Sequence, residues 1–222
     1  MQKRDAEEST EIATRAMTEL LGSVKIYGRQ GAEVRYAIGD FLIRLPDLFA
    51  SDEAGEPMAK CFRLARLAGV SLMRFDNIRK TVLSETPETP GGGLTQAVLA
   101  QFCLSQEARV IADMEFRSRQ DADAVRNQMN EAFAISENLA ADVKDSATYM
   151  ALVKLHAAVM YHLAETARPL PRLIKFRFGK PLPTLVVSYR LYDDASRSDD
   201  LIAENKVVHP AFMRNEGLAL SF

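Results

Sequence analysis

Two long stretches of helical periodicity, separated by little more than a capping signal, constrain this chain most. From Ser118 to Lys144, SRQDADAVRNQMNEAFAISENLAADVK sets Val125, Met129, Ala132, then Ile135 or Phe133, and Leu139 at helical spacing. Ser118 suits an N-cap. Asp121 and Asp123 favour the first turns, where backbone N–H groups carry partial positive charge. After KDS, with Asp145 or Ser146 as cap, ATYMALVKLHAAVMYHLAETA places Leu152, Leu155, Val159 and Leu163 on one side, and RPLPR ends the run at Arg168. A connection this short forces the two helices to be neighbours, so the expectation is a long antiparallel helical hairpin.

The residues before it read as further helices. Ile12, Ala16 and Leu20 mark one, with Gly22 as a stop. VKIYGRQGAEVRY fits either a short hairpin or a loop leading into a helix. From Glu33, the series Val34, Ala37, Ile38, Phe41, Leu42, Leu45 is helical, and Pro46 is expected to break or kink it. SDEAGEP reads as a loop. From Pro57 a helix runs through Cys61 and Leu67, weakened or bent at Gly69, and resumes through Leu72, Phe75, Ile78 and Val82. Its Arg63, Arg66, Arg74, Arg79 and Lys80 read as a solvated face. SETPETPGGG (Ser84–Gly93), with two X-Pro steps and three glycines, reads as a hinge or long loop, followed by a helix to about Phe116.

After Arg168 the period changes. LIKFRF alternates apolar and basic residues, as a half-buried strand does. PLPTLVVSYRLY reads as a short helix opened by proline. SRSDDLIAENK reads as another, with Ser198 as N-cap and Asn205 as C-cap, and LALSF as a closing strand. The expected fold class is mainly α. A multi-helix domain with a long helical hairpin (residues 1–168, hinge or loop at 84–93) precedes a small α+β module of strand-helix-helix-strand order (169–222).

The 222 residues carry 28 basic and 30 acidic side chains, a net charge of −2, which is not the footprint of a nucleic-acid-binding domain. No apolar run reaches the roughly 18 residues of a membrane-spanning helix. The polar MQKRDAEEST start points to a protein made and kept in the cytoplasm, or carried in a particle assembled there. Cys61 and Cys103 lie in apolar helical patterns and read as buried reduced thiols. His156 and His162, six residues apart on one helix, do not share a face, so no metal site and no cofactor are expected.

The densest polar stretch, SYRLYDDASRSDDLIAENKVVHPAF (Ser188–Phe212), looks at first like an active site. A catalytic pair needs a base beside a nucleophile, with a third group orienting both. Here no nucleophile motif is present, and His209 is held extended by Pro210. The acids Asp193 and Asp194 fall between two helices, where they close a turn or cap. Tyr189, Tyr192, Leu201, Asn205, His209, Pro210 and Phe212 are therefore candidate module-core or partner-contact residues, and no catalytic residue is assigned. Tyr189 and Leu201 are expected to support the module's fold.

SRQDADAVRNQM, TYMALVKLHAAVMYHLAETARPLPRL and PLPTLVVSYRLYDDASRSDDLIAENKVVHPAFM resemble the C-terminal half of the DNA circulation proteins of Mu-like bacteriophages, which are tail proteins. The resemblance covers about Phe116 to Phe222. It does not include the separate N-terminal domain from which that family takes its name. In the family, glycine is usual where Asp193 stands, and a Pro-Gly turn where RNEG stands, with Gly217 kept. The end also resembles a LysM module. Asn205 stands where LysM repeats usually carry Asn, and GKPL (Gly179–Leu182) replaces the GDTL of sugar-binding LysM repeats.

The resemblance implies a structural, non-enzymatic component of a contractile-tail baseplate. It would join the central hub or tube to the surrounding wedges, in about six copies around the tail axis. Its partners would be other tail proteins, without nucleic acid or membrane insertion, and its location the virion. Two other readings differ in their expected ligand: DNA that is protected or circularised after injection, and peptidoglycan held by the LysM-like end.

Overall fold

A computed structural model describes residues 3–221. Among these, nine α-helices and one two-stranded antiparallel sheet make the chain mainly helical. It divides into two compact units. One holds the residues up to Met114 and Asn130–Val159; the other holds Glu115–Met129 and the residues from Met160 onward.

The first unit begins with α1 (Lys3–Ser23), α2 (Arg29–Ala50), α3 (Gly55–Leu67), α4 (Leu72–Ser84) and α5 (Pro90–Ala112). The segment before α2 is a loop leading into a helix, not a hairpin. Helix α1 buries Ile12, Ala13, Ala16, Met17 and Leu20, a stripe one turn apart. Helix α2 buries Val34, Ile38, Phe41, Leu45 and Leu48. Between them and α3–α5 lie Phe62, Phe75 and both cysteines, buried and unbridged. Phe62 packs tilted on Phe75 and on Phe102, with ring centres 6.4 and 5.9 Å apart. Burial pushes the Cys61 thiol up to about 11 and the Cys103 thiol up as well.

Three expectations are corrected here. Helix α2 runs past Pro46 to Ala50: the proline lies on the exposed side, while Leu45, Leu48 and Phe49 stay anchored in the core. α3 and α4 are separate helices, not one bent at Gly69. Gly69 takes the left-handed conformation (φ +80°), and Val70 N–H bonds back to Ala65 C=O at 3.1 Å while Gly69 N–H bonds to Arg66 C=O. These two bonds are the glycine C-terminal motif that closes helices.

The third correction concerns Ser84–Gly93. The break spans only the residues between Ser84 and Pro90, and all three glycines lie in the first turn of α5. Thr89 caps that helix, its hydroxyl accepting from Gly92 N–H at 3.0 Å, with Pro90 in the first position. The Glu8 carboxylate of α1 in turn accepts from Glu88 N–H (2.6 Å), Thr89 N–H (2.8 Å) and the Thr89 hydroxyl. Those bonds, the Thr89 hydroxyl first, hold the Glu8 carboxyl below its ordinary range. A Cβ on Gly91 would come within 2.6 Å of the Asp5 Cβ, and one on Gly92 would collide with the Glu8 carboxylate. Here glycine permits close approach of two helices, so the segment is a clamp and not a hinge.

Arg79 is also corrected: it is buried, not solvated. Its guanidinium donates to Asp76 and, at 3.0 Å, to Glu107 of α5, while Lys80 reaches the other Asp76 oxygen at 2.7 Å. Burial raises the Glu107 carboxyl from its ordinary 4.5 to about 7, against the pull of Arg79.

Helices α6 (Arg119–Asp142) and α7 (Ser146–Ala167) follow. Ser118 caps α6 reciprocally with Asp121: its hydroxyl accepts from Asp121 N–H, and its own N–H donates to the Asp121 carboxylate, both at 3.2 Å. Asp145 caps α7, accepting from Thr148 N–H at 3.0 Å. The His156 ring stacks on Phe133 and lies 2.9 Å from a Glu137 oxygen.

The second unit carries β1 (Leu173–Arg177), α8 (Thr184–Tyr192), a 3-10 turn (Ala195–Arg197), α9 (Ser198–Asn205) and β2 (Glu216–Leu220). The strand-helix-helix-strand order holds. β1 pairs with β2 from Leu173 opposite Leu220 to Arg177 opposite Glu216. Phe176, Val187, Tyr192, Leu201, Met213 and Ala219 form the module's core.

A candidate docking surface on the C-terminal module

Six core side chains are few for a stable fold, and a lone two-stranded sheet is marginal in water. Side-chain amides supply what a third strand would. The Asn205 amide donates to Leu218 C=O and accepts from Leu218 N–H, both at 2.7 Å, while also donating to Leu201 C=O at 2.9 Å. On the other edge the Gln120 amide accepts from Leu173 N–H at 2.8 Å and donates to Leu173 C=O at 3.3 Å. Asn205 is thus the last residue of α9 and a bridge to β2. The C-cap expected of it falls to Lys206, which takes the left-handed conformation (φ +49°).

The link between α8 and α9 is an acid-rich turn. Asp193 closes α8 in the left-handed conformation (φ +57°), where glycine is least strained and Asp is tolerated. Asp194 accepts from Ser196 N–H and hydroxyl, both at 2.8 Å, which hold its carboxyl below the ordinary range. It, and not Ser198, supplies the side-chain cap, because the 3-10 turn precedes α9. The Arg197 guanidinium lies 3.9 Å from the centre of the Tyr192 ring.

The sequence-nominated residues divide into two groups. Tyr192 and Leu201 are buried, and Asn205 is half-buried at the sheet edge. Tyr189 is 59% exposed on α8, which corrects its expected place in the core. His209, Pro210 and Phe212 lie on the exposed loop between α9 and β2. This loop is anchored at both sides. Thr184 N–H at the start of α8 donates to Pro210 C=O at 2.8 Å, and Met213 N–H donates to Leu182 C=O at 3.2 Å. The His209 and Phe212 rings meet at 5.3 Å.

The loop borders a cleft of about 680 Å³ whose walls include Lys206, Val208, His209, Phe212, Arg214 and Gly217. Val208 is 99% and Phe212 76% exposed, and Leu185 and Tyr189 project one turn apart from α8. An anchored loop that shows apolar side chains to water fits a contact with another macromolecule. Among the described residues, no group of three His, Cys, Asp or Glu is placed to hold a metal ion, and no helix is long and apolar enough to cross a membrane.

Sequence reasoning found the loop, Asn205 and the capping or turn-closing role of Asp194, but missed Gln120 and Arg197. Gln120 carries no local signal, because its partner Leu173 lies beyond α7. No protein-family model matches the chain, and no curated protein matches it significantly.

Proposed function

We propose that this chain is a structural, non-catalytic component of a contractile phage or phage-like tail baseplate. In this reading α6 and α7 form a long helical hairpin that packs against neighbouring subunits. The C-terminal module acts as a LysM-like adaptor that docks on hub, tube or wedge, in about six copies around the tail axis. The protein is assembled into the virion in the host cytoplasm.

The observation that carries the reading is the anchored, solvent-facing apolar set Leu185, Tyr189, Val208 and Phe212, on a module whose own core is filled by other residues. The resemblance of YRLYDDASRSDDLIAENKVVHPAF to tail proteins supports the same conclusion. The net charge of −2 disfavours the DNA reading.

The test separates folding from docking. Tyr189→Ala combined with Phe212→Asp is expected to melt as wild type and to be lost from purified particles. Normal incorporation of this variant would refute the docking role. Salt-sensitive binding to duplex DNA, or retention on purified cell wall, would redirect the assignment to the corresponding alternative.

A further inference from the structure

We propose that the free edge of β1 at Lys175–Arg177 is a strand-addition site for an extended, acidic segment of a partner protein. The register decides which backbone groups are available. Ser221 N–H donates to Arg172 C=O and Phe178 N–H to Asn215 C=O, each at 2.6 Å, so even-numbered residues of β1 face β2. In an antiparallel pair the alternate residues then turn their N–H and C=O groups outward. Those residues are Leu173, Lys175 and Arg177.

Leu173 is already taken by the Gln120 amide. On β2 the outward position Leu218 is met by the Asn205 amide. The outward N–H and C=O of Lys175 and Arg177 have no partner among the described residues. The capped edge positions show what an open one accepts: a planar donor-acceptor pair in the sheet plane, which the next strand's backbone supplies.

Charge selects the partner. Both side chains are exposed and form no ion pair among the described residues, and Arg172 and Lys180 flank them. Two copies of this edge laid together would set cations against cations, and an apolar strand would leave them desolvated. Charged edges of this kind block indiscriminate pairing. An extended segment with Asp or Glu at alternate positions answers both the hydrogen-bond pattern and the charge. The inference is independent of the baseplate reading, since it specifies the partner's chemistry and not its assembly.

The experiment is a titration of the ¹⁵N-labelled full chain with an acetylated, amidated octapeptide of alternating Val and Glu. Lys175 and Arg177 amide resonances are expected to shift and their hydrogen exchange to slow, with Leu218 unchanged. An alternating Val and Lys peptide is expected not to bind. Lys175→Pro removes one outward N–H and no bond of the β1–β2 ladder, so it should melt near wild type and lose the peptide. Lys175→Glu with Arg177→Glu keeps the backbone donors and should weaken binding at least about tenfold by charge alone. Equal binding of the two peptides, no shift at millimolar peptide, undiminished binding by both variants, or displacement of the peptide by duplex DNA would each overturn the proposal.

Discussion

Asn205 and Leu218 are joined by two hydrogen bonds of 2.7 Å, the side-chain amide of one meeting the backbone N–H and C=O of the other. An Asn at the end of a helix thereby acts as one residue of a missing strand. Gln120 does the same for Leu173 on the opposite edge. The module's small core is supplemented by hydrogen bonds that an ordinary sheet obtains from more strands.

Asn205→Ala should therefore destabilise the module by about 1–3 kcal/mol, the cost of leaving partly buried backbone groups unsatisfied. Gln120→Ala should cost less, because its bonds are exposed. Urea denaturation of the full chain, followed by module-specific NMR signals, measures both.

Gly217 lies opposite Phe176 in the sheet, and a Cβ there would collide with the Asn205 amide and approach the Phe176 ring to 3.0 Å. Gly217→Ala should cost about 1–3 kcal/mol as an overpacking change. A double-mutant cycle checks the cause: Gly217→Ala should cost less in an Asn205→Ala background than in wild type, because the clashing amide is then gone.

Gly91 and Gly93 should respond with opposite sign. Gly91→Ala meets Asp5 and should destabilise, whereas nothing lies within 4 Å of a Cβ on Gly93. Gly93→Ala should therefore stabilise by about 0.5–1 kcal/mol through helix propensity. Thermal melts of the two variants decide between a helix clamp and a flexible linker, which would make both substitutions alike.

Glu107 should make stability depend on pH. Its folded carboxyl titrates near 7, above its ordinary 4.5, because burial disfavours the charge. The folded state then holds a proton that the unfolded state has released. This contribution is full below pH 4.5 and is lost as pH rises through 7. Wild type compared with Glu107→Gln should show the difference shifting against wild type between those values, with Arg79 and Asp76 packed beside the carboxyl in both chains. Equilibrium denaturation at a series of pH values reads it directly.

Leu201→Ala should cost about 2–5 kcal/mol because the side chain is fully buried. Tyr189→Ala should change stability by less than about 1 kcal/mol because its ring is exposed. Melting curves of the two variants check the contrast.

Local signals carried much of the fold. The periodic apolar stripes of α1, α2 and α6, the Ser118 cap and the alternation of LIKFRF each depend on neighbours within a few residues, and each was legible. Misreadings arose where a distant partner decides the outcome. Gly91–Gly93 look like a flexible loop until Asp5 and Glu8 of α1 are placed against them. Arg79 looks solvated until Asp76 and Glu107 surround it. Tyr189 and Tyr192 look equivalent, and only the position of α8 against the sheet sends one inward and the other out. At the candidate site the nominated loop was legible as a cluster. The edge chemistry of β1 was not, because it follows from the register.

The central claim is tested most directly by quantitative mass spectrometry of purified tails or particles from the producing cells. The account predicts this chain at a fixed low ratio to the tail proteins, about six per tail. Its absence from the particle would contradict the account.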